Sequence, residues 1–398
     1  MKCKLGDYIR IKHGFAFKGE YITAENNGVV LVTPGNFEIG GGFKEDKCKY
    51  FNGDYPKEYV LSPYDLIVTM TDLSKQGDTL GYSALVPKTN RVYLHNQRIG
   101  LVDVYNPKAD KMFIYWLMRT QKYQKTIVAT SSGSTVKHTS PSRIYDVEVD
   151  LPPIDVQKKI AAILSALDEK IATNRAINEN LERQAQSYFH ELFVDNADSE
   201  WTTGTISNLG TVVGGSTPSK AKPEYYTESG IAWITPKDLS INKSKFISRG
   251  ENDITELGLK NSSATIMPEG SVLFSSRAPI GYIAISVGEV TTNQGFKSVV
   301  PKPEIGTPFV YFFLKKTLPV IEGMASGSTF KEVSGSTMKN VPAVIPDAET
   351  LAKFNDFCAP IFAQQRILEE QSQSLAVLRD NLLPKLMSGE IDVSAVQL

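Results

Sequence analysis

Two turns of the same composition, Gly133-Ser134-Thr135 and Gly327-Ser328-Thr329, offer the simplest chemistry in this chain. Small hydroxyls beside successive backbone N–H groups can hold an anion. A serine between small residues can also be an acyl-transfer nucleophile, but no GxSxG elbow is present and no His or Asp recurs as a partner in both places, so the turns read as anion-binding backbone. Gly214-Gly215-Ser216-Thr217-Pro218-Ser219-Lys220 has glycine and lysine at the wrong spacing for a nucleotide phosphate loop. His13, His95, His138 and His190 show no metal-ligand spacing among themselves or with cysteine. Leu151-Pro152-Pro153-Ile154 has the outline of a flipped-base motif without its polar first residue or aromatic fourth residue. No catalytic constellation, metal site or cofactor site is therefore expected in this chain.

The turns belong to a larger repeat. Leu5-Gly6 returns as Leu209-Gly210, Glu20-Tyr21 as Glu224-Tyr225, and Thr33-Pro34 as Thr235-Pro236. Gly81-Tyr82-Ser83-Ala84 returns as Gly281-Tyr282-Ile283-Ala284, and Asn96-Gln97 as Asn293-Gln294. The apolar run FIYWLM (113–118) returns as FVYFFL (309–314). Repeats this long must each be a domain, and a duplicated domain suits an extended or two-part ligand. Short β-rich runs (29–33, 66–70, 84–86, 272–275, 283–287) between Gly, Pro, Asn and Ser, with helices expected over 111–124 and 309–324, mark both copies as α+β and rich in loops.

Each copy ends at a proline break, Leu151-Pro152-Pro153 or Ile345-Pro346, after which Gly and Pro almost vanish. Ile160, Leu164, Leu167, Ile171, Asn174, Asn178, Leu181, Ala185, Tyr188 and Leu192 follow spacings of four and three, a coiled-coil seam. Such a helix is about 60 Å long. Phe354, Ile361, Leu368, Leu375 and Leu382 keep half of a second seam, and Cys358, Gln365, Ser372, Arg379 and Leu386 the other half. Long helices with one apolar stripe need a partner, so an antiparallel pair is expected, with Asn174, Asn178 and Gln365 fixing register. Pro384 is expected to kink or end the second helix. The alternative makes each helix a core element of its own domain.

The 398 residues, 41% of them hydrophobic, suffice for two cores. The net charge of −1 divides into +4 over residues 1–150, −4 over 151–200, +3 over 201–344 and −4 over 345–398. A polyanion such as nucleic acid would be held by the two basic blocks. Cys3, Cys48 and Cys358 are read as reduced thiols. No apolar run approaches a membrane span, and MKCKLGDYIRIKHG lacks a signal-peptide core, so a soluble cytoplasmic protein without membrane contact is expected.

The order of basic loop-rich domain, proline break and long helix, given twice, resembles the specificity subunit of type I restriction-modification enzymes. The matching residues are LPPIDVQKKIAAILSALDEKIATNR (151–175), its counterpart from Ile345, LLPKLMSGEI (382–391), and the paired GSTVK (133–137) and GSTFK (327–331) turns. The resemblance implies an α+β chain of two loop-rich α/β target-recognition domains, with a pseudo-twofold internal repeat. Residues 1–150 would be the first of these domains and 151–196 the first spacer helix. Residues 197–344 would be the second domain, and 345–398 the second helix with the C-terminal tail. It also implies double-stranded DNA as ligand and two modification (methyltransferase) subunits docked on the helices. S-adenosylmethionine would be on those partners, with ATP and Mg on any restriction (motor-nuclease) subunits. The chain itself would be non-catalytic, and its helices would hold the half-sites about one DNA turn, roughly 34 Å, apart. Because the first copy lacks the Trp201 lead-in, its entrance is expected to pack differently.

On this reading Ser134, Lys137, Ser328 and Lys331, with Ser216 and Thr217, would hold phosphates. Lys75, Gln76, Asn96, Gln97 and Arg98 would read bases in the first half-site, and Lys237, Arg277, Asn293 and Gln294 in the second. The repeated Asn-Gln pairs also fit turns that bond their own backbone, since identical residues cannot explain different half-sites. A stand-alone interaction scaffold and a tandem-domain nuclease are the competing readings. The nuclease needs paired loop acids, and Asp72 and Asp78 have no counterpart near Arg277.

Overall fold

The computed structural model describes residues 2–46, 48–327 and 331–396. It divides into two compact units, Met1–Lys170 with Leu375–Leu398 and Ile171–Ser374, so the division falls inside both long helices.

The first unit holds a four-stranded sheet ordered Ile9–His13, Ile99–Val104, Leu66–Thr69, Ser83–Leu85. Beside it is a five-stranded sheet ordered Ile22–Thr23, Lys49–Phe51, Val29–Val32, Val92–His95, Val60–Leu61. The second unit repeats both sheets. Gly210–Gly214, Lys297–Pro301, Val272–Ser276 and Ile280–Ser286 correspond to the first sheet, and Tyr226–Thr227, Asn252–Ile254, Ile231–Ile234 and Thr291–Thr292 to the second. The parallel pairing of Val29–Val32 with Val92–His95 recurs as Ile231–Ile234 with Thr291–Thr292. Val60–Leu61 edges the second sheet of the first unit, and its counterpart Met267 keeps an antiparallel bridge to Val290, while Phe246–Ile247 adds a parallel edge strand to the first sheet of the other. Val29–Val32 and Leu66–Thr69 are almost wholly buried, as continuous β-branched runs require when both faces are covered.

The apolar run 113–118 lies in helix Lys111–Leu117, which stops where Thr120 caps a new helix, Gln121–Ala129. Its counterpart continues without a break as Thr307–Gly323. The entrance strands match more closely than expected: Lys2–Lys4 pairs antiparallel with Glu148–Asp150, as Thr202–Thr205 does with Pro342–Ile345. The difference reduces to Trp201, whose indole N–H donates to Asp347 at 2.9 Å.

The first long helix runs Ile154–His190 and continues as a wider π-type turn, Glu191–Asp195. Gln157 fixes its start, accepting from the Asp110 N–H and donating to the carbonyls of Lys108 and Pro152. The second helix runs Ala348–Ser388, with Asp347 accepting from the Thr350 N–H before it. Pro384 does not end it. A proline there removes a single backbone bond near the end of the helix, and Leu383 and Leu386 on either side are buried in the core.

Each helix contributes to both units. Ile160, Leu164, Leu383 and Leu386 join the first core, and Ala185, Phe189, Phe354, Cys358 and Ile361 the second. Within each unit the two segments run antiparallel: Asp168 meets Arg379 in the first, while in the second Asn174 meets Gln371, Asn178 meets Gln365 and Phe189 meets Phe354. Pairing and core membership thus coexist. Among the described residues no helix is long and apolar enough to cross a membrane.

Candidate functional site

In the first unit, strand Leu66–Thr69 leads into Thr71–Asp72, which pairs antiparallel with Lys137–His138. Lys137 therefore lies in a strand, half-buried, whereas Ser134 is exposed on the turn before it. Asp72 is buried and ties both ends of the following loop. It accepts from the Ser74 N–H at 2.6 Å, from the Thr79 N–H at 2.5 Å and from the Thr79 hydroxyl at 2.7 Å. Burial pushes its carboxyl up, but the bonds from Ser74 and Thr79 together outweigh that and hold it below the ordinary value. Ser74 accepts from the N–H groups of Gly77 and Asp78, and Gln124 donates to the Gly77 carbonyl at 2.8 Å. Lys75 and Gln76 stand exposed at the tip.

Asn96-Gln97 and Asn293-Gln294 occupy equivalent turns. The Asn96 side-chain oxygen accepts from the Arg98 N–H at 3.0 Å, and that of Asn293 from the Gly295 N–H at 2.8 Å. The asparagines thus hold the turns, whereas Gln97, Arg98 and Gln294 are exposed. Each turn is backed by a glycine: a Cβ on Gly14 or Gly215 would collide with the carbonyl of Asn96 or Asn293. The next N–H on each strand, of Phe15 or Ser216, donates to the carbonyl of His95 or Thr292. Phe15 is exposed, and Ser216 is the equivalent residue.

The second unit gathers four of the predicted residues around one cleft of about 560 Å³, with Thr217, Lys237, Asn293 and Gln294 in its walls beside Trp233, Tyr226 and Asn252. Thr235-Pro236-Lys237-Asp238 forms a capping box in which Asp238 accepts from the Thr235 N–H and hydroxyl. The cap directs Lys237 outward to an ion pair with Glu251 at 2.5 Å. Trp233 donates to the Ser216 carbonyl at 3.0 Å, and the Thr217 hydroxyl bonds Gln294. Arg277 lies apart from this cleft, in the turn after Val272–Ser276, and pairs with Glu332 at 3.4 Å. Lys297 approaches the same carboxylate at 3.7 Å. Lys331 is exposed, and Ser328 lies outside the described residues.

Three cations that sequence reasoning passed over, Arg119, Lys315 and Lys245, fix these units on the helices. Arg119 is buried and pairs with Asp168 of the first helix at 2.7 Å, while Arg379 of the second helix reaches the same carboxylate at 2.5 Å. The Arg119 guanidinium also bonds the Tyr115 hydroxyl and the Gly40 carbonyl and stacks over Trp116. Lys315, at the matching repeat position, pairs with Glu182 at 2.6 Å. Lys245, buried against Phe362, reaches Glu182 at 2.6 Å as well. Burial pushes the Lys245 ammonium down to about 8 against the pull of Glu182. Burial pushes Glu182 up, and the two ammoniums outweigh it and hold the carboxyl low. The signal was present: Arg119 and Lys315 each follow the repeated apolar run by one residue.

A family model described as type I restriction modification DNA specificity domain matches twice, over residues 1–183 and 198–378. The MjaIX specificity subunit of Methanocaldococcus jannaschii is 39% identical over 194 residues, which is 46% of this chain and 45% of that protein. This match spans less than half of the relative's length. The HindI specificity subunit of Haemophilus influenzae is 24% identical over 404 residues, 80% of this chain and 87% of that one. Among solved structures, the type I restriction-modification S subunit from M. genitalium aligns with a TM-score of 0.61 at 19% identity, covering 97% of this chain and 95% of that chain. That likeness concerns the fold.

Proposed function

The chain belongs to the type I restriction modification DNA specificity family, and from that premise we propose that it selects the DNA target of a methylating complex, one half-site with each unit. The observation that carries the reading is the doubled domain whose frame repeats and whose tips differ. The Asn-Gln turns and their backing glycines are common to both units. The Asp72 loop of the first has only the short Arg277 turn opposite it in the second, and the cleft beside Trp233 lies in the second. Two different tips on one frame suit a split target with unlike halves.

The chain contributes recognition, with no reaction step of its own. Lys75, Gln76, Gln97 and Arg98 read the first half-site, and Lys237, Gln294 and Arg277 the second. Arg277 and Lys237 exchange their carboxylate partners for DNA on binding. Ser134, Lys137, Lys331, Ser216 and Thr217 meet phosphates, and Asn96 and Asn293 hold the turns that place their neighbours. Two methyltransferase subunits carrying S-adenosylmethionine dock on the long helices, and restriction subunits bring ATP and Mg where present. The complex works in the cytoplasm, on chromosomal and entering DNA.

The test is to co-express the chain with the methyltransferase subunit encoded beside its gene and to map methylated adenines by single-molecule sequencing. A split, non-palindromic motif with one modified adenine in each half is expected. An assembled, active complex that leaves no new methylation overturns the proposal.

A further inference from the structure

Between equivalent strands, the first unit runs from Ile67 to Gly81 where the second runs only from Leu273 to Gly281. The additional chain is the loop tied by Asp72, and it is held from three sides. Asp72 binds both ends, Ser74 binds the N–H groups of Gly77 and Asp78 from within, and Gln124 binds Gly77 from the neighbouring helix. Gly77 has a φ of +76° and lies against Val128 and Lys137, so its backbone needs glycine and has little room to shift. A polar surface loop of this length ordinarily gains little by such bracing. Here the bracing fixes Leu73, Lys75 and Gln76, which make no hydrogen bond or ion pair through their side chains among the described residues. Leu73 is 65% exposed although Met70 and Leu80 on either side are buried.

One carboxamide, one cation and one branched apolar group on a rigid tip match one kind of base pair. A glutamine can bond N6 and N7 of adenine together, an apolar side chain can cover the thymine methyl, and a lysine beside them can reach an acceptor on a neighbouring base. Leucine offers nothing to a G·C pair, which has no methyl in the major groove.

We propose that the loop Leu73–Asp78, braced by the buried Asp72 carboxylate, reads an A·T pair in the first unit's half-site, with Gln76 on the adenine edge and Leu73 against the thymine methyl. This inference rests on the proposed DNA-recognition function and adds to it the identity of one base pair and the positioning residue Asp72. Asp72 itself touches no DNA.

The experiment uses the full chain assembled with its methyltransferase subunit and duplexes carrying the mapped target. Thymines of the first half-site are replaced one at a time by uracil, which removes only the methyl. Binding to one of these duplexes is expected to weaken about fourfold, as loss of one buried methyl predicts. Leu73→Ala should weaken binding similarly to the natural target and abolish the difference between thymine and uracil. Asp72→Asn should do the same while leaving discrimination at the second half-site unchanged, a pattern that general loss of folding would not give. Leu73 is exposed, so its variant tests the contact even if Asp72→Asn fails to fold. The inference is overturned if no uracil substitution matters, or if Leu73→Ala retains the uracil effect. Absence of any mapped target would instead overturn the DNA-recognition function, so the two failures are distinct.

Discussion

Glu182 is where the second unit's charge balance is decided. The carboxylate lies between Lys245 and Lys315, and Lys245 is almost fully buried. Removing one partner from a buried pair leaves an uncompensated ion, and Gln365, which bonds Lys245 at 2.8 Å, softens that loss only in part. Glu182→Gln should therefore destabilise the unit by about 3 kcal/mol, the lower end for such a pair. The pH dependence separates charge from packing. Because the fold lowers the carboxyl from its ordinary 4.5, its contribution is complete above that value and is lost as pH falls through the lower one. The natural chain should lose stability over this acid window, and Glu182→Gln should lack that component. Urea unfolding with hydrogen exchange read over residues 171–374 checks both. The matching cations Arg119 and Lys315 were legible in principle, since the repeat aligns them. Their partners were not, because Asp168 and Glu182 stand at different distances along the helix and only the packed structure brings them together.

At the scale of the elements, the long helices were the most legible part of the chain, because spacings of four and three admit few other folds. The predicted stripe residues Ile160, Leu164, Ile171, Asn174, Phe354, Cys358, Leu368 and Leu386 are all buried. Pro384 was expected to kink or end the second helix, and it does not end it, since one lost backbone bond weighs little beside Leu383 and Leu386 held in the core. Asn174 shows the opposite balance. It is fully buried and donates to Gln371 at 2.8 Å, yet its own side-chain oxygen has no partner. A buried amide satisfied at one end fixes register at a cost in stability. Asn174→Leu should raise stability by about 1 kcal/mol, seen as a higher melting temperature, and loosen register. Loosened register should appear as faster hydrogen exchange at the Asn178–Gln365 contact. A variant that melts lower would show that the amide contributes more than its unpaired oxygen costs. The β-rich frame was legible as a class, whereas sheet order was not: edge strands only two residues long, such as Val60–Leu61 and Phe246–Ile247, leave no periodicity in sequence.

For the molecule as a whole, each apolar cluster lies within one unit, and each predicted base-reading residue belongs to one unit. Substitutions that share no core and no hydrogen-bond network should act additively. Gln294 lies in the cleft wall of the second unit, exposed beside Thr217 and Lys237, while Gln97 stands on the equivalent turn of the first. Gln294→Ala should relax discrimination at one base pair of the second half-site by about 1–3 kcal/mol and leave the first half-site as strict as before. Gln97→Ala should do the converse. In the double variant the losses should add to within about 0.5 kcal/mol, so that a duplex altered in both halves is tolerated as the product of two independent relaxations. Measured methylation rates on targets altered singly and doubly decide this. A deficit much larger than the sum would mean that one half-site must be engaged before the other can be read. Two copies of a frame that differ mainly at their tips give no reason for such an order: each turn is held by its own asparagine, its own backing glycine and its own strand pair.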